Sequence, residues 1–513
     1  MSDAADAREV DAAAPLSSMD AEIEAARPKP DGAVPLVQTE APPAPEILRA
    51  DRVPPPPPRP APGTPRPYRF PTFERRTLPN GLRLVVAPVP KLPVVSVSAV
   101  VDAGAAADPT GQDGVAALAA RALTEGAGAL DAVALTERVE RLGATIDAGA
   151  DWDTAVVSMT TLTQHLDEAF ALFADVLVRP AFPAREVERL RQERLADLLH
   201  LMTEPRGLAE DAFARATYSA ASRYARPEGG DRAAVEGLTT EAVRAFHTAR
   251  YVPAATTLVV AGDVTADAAA ALVARVLGGW TGGDAAPADE AARATLGRPA
   301  ADTRRTVLVH KADAPQSELR VGHVGVPRAH PDYFPLTVMN AILGGLFNSR
   351  VNLNLRETHG YTYGAHSGFD WRTAAGPFVV SSAVQSGATD KAVVEVLKEV
   401  QRIRDEPVAD DELSLATSYL DGVFPIRYET TSAIAGALVN LVIFGLPDDY
   451  YDRYRERVRA VTAADVQRVA REHLRPEELQ IVVVGDPAQV REPLTALGLG
   501  PLSVLDAEGK PIT

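Results

Sequence analysis

The segment Leu238–Thr265 reads LTTEAVRAFHTARYVPAATTLVVAGDVT, and it aligns without gaps on Val461–Ala488, VTAADVQRVAREHLRPEELQIVVVGDPA, at a constant offset of 223. The pairs Thr239/Thr462, Val243/Val466, Pro253/Pro476, Val259/Val482, Val260/Val483, Gly262/Gly485 and Asp263/Asp486 are identical. Each copy reads as a helix, a proline break, a buried β-branched strand and a Gly-Asp turn. Generic helix-strand grammar accounts for part of the match, but the unbroken register points to a duplicated domain.

Between the copies, Thr281–Ala301 (TGGDAAPADEAARATLGRPAA) is rich in Gly, Ala, Pro and charge, and reads as the linker. Near the start of the first copy, TLPNGLRLVVAP (Thr77–Pro88) places Asn80-Gly81 between apolar alternations, a hairpin signal because both residues tolerate positive φ. Val94–Val101 follows as a β-branched strand and Gly114–Leu123 as a short alanine-rich helix. Helices are expected around Asp131–Leu142, Leu166–Leu177 and Arg185–Leu201, with a strand over Thr154–Thr160. The fold class is α+β: two tandem homologous α/β-sandwich domains, each close to the 223-residue offset in length. The expected divisions are 1–67, a disordered Ala/Pro-rich tail; 68–280, the first domain; 281–301, the linker; and 302–513, the second domain. The tail includes the run Pro54–Pro58, which favours an extended polyproline conformation and buries too little apolar surface to order itself. A tether is the simple reading, and a proline-rich ligand for a partner domain is the alternative.

Composition bounds the function. The 513 residues are 46% hydrophobic and 24% charged, enough for more than one core. A net charge of -17 argues against nucleic-acid or anionic-membrane partners, which demand clustered lysine and arginine. With no cysteine, disulfides, thiolate metal sites and cysteine nucleophiles are excluded. The N-terminal MSDAADAREVDAAAPLSSMDAE lacks a basic start followed by an apolar core, so a cytoplasmic location is the default and periplasmic export stays open. No apolar run approaches the roughly 20 residues that span a bilayer.

A second motif carries chemistry: Leu343–Gly364, LGGLFNSRVNLNLRETHGYTYG. Together with the opening Asn-Gly hairpin, the closing VVVGD strand and the tandem repeat, it resembles the pitrilysin/insulinase zinc peptidase family, which includes the mitochondrial processing peptidase and bacterial two-subunit relatives. The resemblance spans about Phe70–Leu497. It implies a His-x-x-Glu-His motif on a first-domain helix and a third metal ligand, a Glu, about 75 residues later. Residues i and i+4 share a helix face, so two imidazoles converge on one Zn²⁺ while the Glu acts as general base. In this chain the matching helix reads GVAALAARALTEG: Ala117 and Ala120 replace the first His and the Glu, and Arg121 replaces the second His. The third-ligand position falls on Asp197, or on Glu193 in an alternative register.

Two methyl groups and a guanidinium cannot ligate zinc, and a lone carboxylate does not complete a site that normally uses three protein ligands. The remaining histidines offer no obvious replacement: His323 and His330, like His359 and His366, are seven apart. Arg121 either pairs with Asp197 or Glu193, filling the vacated site with fixed charge, or is an ordinary exposed arginine.

In two-subunit family members an Arg and a Tyr of the second-domain motif reach the zinc site of the facing chain, and the resemblance places these at Arg356 and Tyr363. A planar guanidinium suits carbonyl oxygens and a phenol suits one oxyanion. Read without the resemblance, Arg356 is a helix-surface arginine, and Tyr361 and Tyr363 line one strand face at period two. Gly360 suits a sharp turn between them, and Asn348 and Ser349 stand where the cap of a Val351–Glu357 helix belongs. The implied function is the zinc-lacking subunit of a heterodimeric metallopeptidase. Its partner would be a homologous chain with an intact His-x-x-Glu-His that holds the zinc, and its substrate a peptide. The alternatives are a structural scaffold with no part in cleavage, or a homodimeric peptide-binding chaperone or sensor.

Overall fold

The computed structural model describes residues 63, 67–283 and 293–512; nearly all of the expected tail and the middle of the expected linker lie outside the described residues. The first sheet contains β1 (Glu74–Thr77), β2 (Arg83–Pro88), β3 (Val94–Val101), β4 (Thr145–Ala150), β5 (Ala155–Leu162) and β6 (Thr256–Gly262), in the order β1-β2-β6-β3-β5-β4. The second contains β7 (Arg305–His310), β8 (Gln316–Val324), β9 (Thr362–Phe369), β10 (Pro377–Gln385), β11 (Gln480–Gly485) and β12 (Leu502–Leu505), in the order β12-β7-β11-β8-β10-β9.

These orders are the same topology twice. The 223-residue offset carries β3 and β5 into β8 and β10, and the parallel pair β2/β6 has its counterpart in β7/β11. Only the outer strand differs: β1 joins β2 antiparallel through the expected hairpin, whereas β12 joins β7 in parallel from the C-terminal end. In that hairpin Gly81 alone takes positive φ (87°). Asn80 serves differently, donating its amide to the carbonyls of Leu277 (2.9 Å) and Trp280 (3.1 Å).

The helices that matter for the site are α1 (Val115–Ala122), α2 (Ala184–Leu201), α3 (Pro205–Thr217), α4 (Thr240–Arg250), α5 (Thr389–Asp405), α6 (Asp410–Arg427), α7 (Thr431–Ile443) and α8 (Ala463–His473). The identities shared by the two copies have structural causes. Thr239 and Thr462 are the N-caps of α4 and α8, each hydroxyl accepting a backbone N–H at 3.2 Å. Pro253 and Pro476 open the short turns before β6 and β11. Those two strands are buried at every position, as apolar strands covered on both faces must be.

The second cover of each sheet comes from the other half of the chain. Successive strand residues face opposite sides. Leu84, Val86, Leu258 and Val260 accordingly pack with the first domain's own helices. Their neighbours Val85, Ala87, Val259 and Ala261 belong to the core that includes Ile434, Leu438 and Leu441 of α7, which lies on β3 and β6. Reciprocally, α3 of the first half lies on β8 and β11, where Leu208 and Ala209 meet Val309 and Val484. Gly322 permits this approach, since a Cβ there would stand 2.0 Å from the Phe378 carbonyl and 2.9 Å from the Phe213 ring of α3. Arg320, 2% exposed, fixes the crossing by donating to Glu210 of α3 (3.0 Å) and to Glu318 (2.9 Å). Among the described residues no helix is long and apolar enough to cross a membrane.

The exchange predicts that residues 293–513 expressed alone will not unfold cooperatively, because removal of α3 uncovers apolar side chains each contributing about 1.5–3 kcal/mol. Supplying the first half as a separate polypeptide should restore a sharp thermal transition, and a sharp transition from the isolated half would contradict the exchange.

Candidate functional site

In the first domain, α1 is fixed at its start by Asp108, whose carboxylate accepts from the N–H groups of Gly114 (2.7 Å) and Ala116 (2.9 Å) and from Arg223 (2.9 Å). Burial raises the Asp108 pKa, while Arg223 and the two amides oppose that shift. The helix packs on α2. Positions 117, 120 and 121 are i, i+3 and i+4, so they share one face. Ala117 is half-buried, Ala120 is buried and Arg121 is exposed. None of the three offers a metal a lone pair.

Arg121 donates to Glu193 of α2 at 3.3 Å, and Asp197 is exposed without an ion-pair partner among the described residues. Of the two carboxylates expected as partners, Arg121 therefore meets Glu193 and not Asp197. Asp197 lies one turn beyond Glu193 on α2, and Glu193 is the carboxylate opposite Arg121. Glu193 also receives Arg189, which reaches Glu125 at 2.7 Å. With both side chains near half exposed, the Arg121–Glu193 pair contributes about 0–1 kcal/mol. The cluster supplies fixed charge, and its donor set does not fit zinc.

The second-domain motif is braced at several points. Tyr333–Asn340 is α-helical and continues as a π-helical turn over Ala341–Gly345; a short turn at Arg350–Asn352 leads into a second π segment, Leu353–Thr358. The wider turn shows in His359 N–H bonding to the Asn354 carbonyl at 3.1 Å, five residues back. Ser349 occupies the N-cap position, yet its hydroxyl makes no capping bond and has no hydrogen-bond partner. The expected capping function is absent, and the segment is held by tertiary contacts instead. Arg350 grips Glu412 of α6 with two bonds of 2.7 Å, and this guanidinium is the main cause of the lowered Glu412 pKa. Asn354 donates to Glu395 (3.2 Å) and Glu399 (2.8 Å) of α5. Asn352 is buried and ties the motif across itself, donating to the Phe347 carbonyl at 2.6 Å and accepting from the Ala365 N–H at 3.0 Å.

On this frame Arg356 is partly exposed, its Nε 3.1 Å from Glu357 and its guanidinium 4.8 Å from the centre of the Phe347 ring. Gly360 takes φ 65°, the turn expected of it. The β9 strand opens with a register shift between Thr362 and Ala365 where it pairs with β10. This irregularity carries Tyr363, which is 89% exposed, as bulges elsewhere redirect a side chain. Tyr361 and Tyr363 do not form one strand face: Tyr361 precedes β9, is half-buried and stacks on His359 at 5.0 Å.

One grouping escaped the sequence. His330, Asp332 and His473 bring potential ligand atoms within 4.8 Å of one another, across 141 residues of chain between Asp332 and His473. Asp332 is already engaged by Arg468 (2.7 and 3.2 Å) and His473 (2.8 Å), contacts that lower its pKa to about 2. The cluster tethers the segment after β8 to α8. His323 is buried and neutral, its pKa pushed down to about 3 by burial and then by Arg475.

Two outcomes test this geometry. Asn352→Ala should cost about 2 kcal/mol in urea denaturation, because a carbonyl and an N–H lose buried partners, and should make the 353–363 segment sensitive to limited proteolysis. Joint Ala117→His and Arg121→His substitutions should present two imidazoles toward Glu193 and confer stoichiometric zinc binding in calorimetry, abolished by Glu193→Gln. Silence in the calorimeter would mean that Glu193 does not mark the third-ligand position.

Comparison with known proteins agrees with these features. The model for insulinase (peptidase family M16) matches residues 84–227, and that for the peptidase M16 inactive domain matches 237–420. An uncharacterized zinc protease of Mycobacterium leprae is 25% identical over 409 residues, covering 78% of this chain and 89% of its own length. A non-peptidase homolog from Helicobacter pylori is 22% identical over 388 residues, covering 73% of this chain and 85% of its own. Among solved structures, a peptidase M16 inactive domain from Pseudomonas fluorescens superposes with a TM-score of 0.75 at 26% identity, covering 81% of this chain and 98% of that one. The duplicated sheets, the hairpin, the second-domain motif and both family models lead to one conclusion: the chain belongs to the pitrilysin/insulinase family of peptidases.

Proposed function

We propose that this chain is the zinc-lacking subunit of a heterodimeric pitrilysin-family metallopeptidase, contributing Arg356 and Tyr363 to a site completed by a homologous partner. The observation that carries this reading is an asymmetry between two equivalent regions. The face of α1 holds no metal-binding group, whereas the second domain displays a guanidinium and a phenol to solvent from a segment braced by Asn352, Arg350 and Asn354. Solvent exposure of Tyr363 stabilises nothing within the chain, which supports a role outward from it.

In that role Arg356 donates several N–H bonds to peptide carbonyl oxygens and holds the backbone in register. Tyr363 donates one O–H bond to the oxygen that gains negative charge as the scissile carbonyl becomes tetrahedral. Stacking on Phe347 leaves the N–H edge of Arg356 available while restricting its rotamers. The metal, its water and the general base would come from the partner's His-x-x-Glu-His. The name non-peptidase homolog carried by the Helicobacter relative fits a chain that does not cleave on its own.

Co-expression with a related chain that retains His-x-x-Glu-His tests the assignment. The lone chain should show no peptidase activity, and the assembled pair should. In the pair, Arg356→Ala and Tyr363→Phe should each lower the cleavage rate by about 10²–10³. Unchanged rates would reject the contribution in trans, and chelator-sensitive proteolysis by the lone chain would reject the whole reading.

A further inference from the structure

His330, Asp332 and His473 converge where the segment after β8 meets the end of α8. Among the described residues this is the one set of three histidine or carboxylate groups placed to share an ion. The two imidazole rings stand nearly perpendicular at 83°, with centroids 4.9 Å apart. Nδ1 of His330 accepts the Asp332 N–H at 3.2 Å, so this nitrogen carries a lone pair and not a proton. Nε2 of His473 lies 2.8 Å from Asp332 Oδ2. All three residues are half-buried, which leaves an ion a way in.

Arg468 aims the carboxylate. Its guanidinium donates to Asp332 Oδ1 at 2.7 Å and to Oδ2 at 3.2 Å, and is itself balanced by Glu472 at 2.8 Å. Asp332 is thereby held with Oδ2 turned to His473, the part that outer hydrogen-bond partners play around metal ligands.

The duplication supplies a control. Shifted by 223 residues, positions 330, 332 and 473 fall on Ala107, Pro109 and Arg250, and Arg468 falls on Ala245. Tyr333–Asn340 packs on α8 as α1 packs on α4. The first half therefore makes the same junction without imidazole or carboxylate at those positions, and the architecture alone does not call for this cluster.

We propose that His330, Asp332 and His473 bind a single divalent ion of the Zn²⁺ class, clamping the start of the 333–340 helix to the end of α8. Two imidazoles and one carboxylate suit Zn²⁺ or Co²⁺, whereas Ca²⁺ and Mg²⁺ prefer oxygen alone. A four-coordinate ion with bonds of about 2.0–2.2 Å sets neighbouring donors about 3.3–3.5 Å apart, so side-chain rotation of about 1 Å closes the site. The ion enters between His473 and Oδ2 in place of the proton they share, the ring keeping a proton on Nδ1. The fourth position is left to water, with Glu472 Oε2 4.0 Å from His473 Nε2. This ion is separate from any peptidase zinc, since α1 and α2 contribute nothing to it and no cleavage step passes through it.

Titration of the full-length, tag-free lone chain with Co²⁺ tests the site, because four-coordinate cobalt absorbs in the visible. One equivalent should bind, and the melting temperature should rise by about 3 °C at a hundredfold excess over the dissociation constant. His330→Ala and Asp332→Asn should each weaken binding at least about tenfold and remove that rise. His200→Ala, at an exposed histidine on α2, should change neither. Absence of cobalt bands, with variants that lower the melting temperature whether or not metal is present, would make the cluster a tether only and overturn the proposal. Binding that survives both site variants, or that His200→Ala removes, overturns it as an adventitious surface ion. The joint α1 substitutions are best read in a His330→Ala background, where this site is silent.

Discussion

Everything in this molecule depends on the covering of two sheets whose central strands are apolar on both faces. Residues of β2 and β6 alternate between two cores, so each sheet needs a layer on either side, and each half of the chain supplies only one layer to itself. The missing layers are exchanged: α3 crosses to the second sheet and α7 to the first. Arg320 and Glu210 lock one crossing, and Gly322 is bare of side chain so that Phe213 can reach it. Each functional region is built beside one of these crossings. In the first half α2, directly before α3, holds Glu193 against Arg121; in the second α6, directly before α7, holds Glu412 against Arg350.

That parallel makes the divergence of the two halves informative. Duplicated helices in duplicated positions face different chemistry: one pair joins through exposed ions, the other anchors a loop from which a guanidinium and a phenol project. The exposed Arg121–Glu193 pair adds little stability, so charge there is tolerated more than required. In the second half the investment is larger, since Asn352, Arg350 and Asn354 each use hydrogen bonds to hold a segment whose own helical geometry is irregular. Widened π turns are less favourable than α turns, and they persist where surrounding contacts over-determine them.

The strands and hairpin were legible because β-branched runs and an Asn-Gly turn have local causes, and the helices expected near 131–142, 166–177 and 185–201 appear at Ala132–Arg141, Leu166–Val178 and Ala184–Leu201. The matching Thr, Pro and Gly residues were legible for the same reason, being caps and breaks in both copies. The exchange of α3 and α7 was not legible, because amphipathic periodicity shows that a face is buried and never which surface buries it. Telling which of Asp197 and Glu193 meets Arg121 required the rotation of α2 against α1, a tertiary quantity. Spacing along the chain alone left it open. Ser349 has the residue type of a cap and makes no cap bond, since Arg350 and Asn352 already hold that turn from outside. Tyr363 is a strand residue as expected, but it lies in the shifted pairing with β10 and faces outward.

Because the halves are laced together twice, each reaching over the other, they cannot gape apart like a clam without tearing a helix from its bed. Opening a hinge between the lobes would bare the apolar layers that α3 and α7 cover, so the crossings hold the two sheets in one fixed relation.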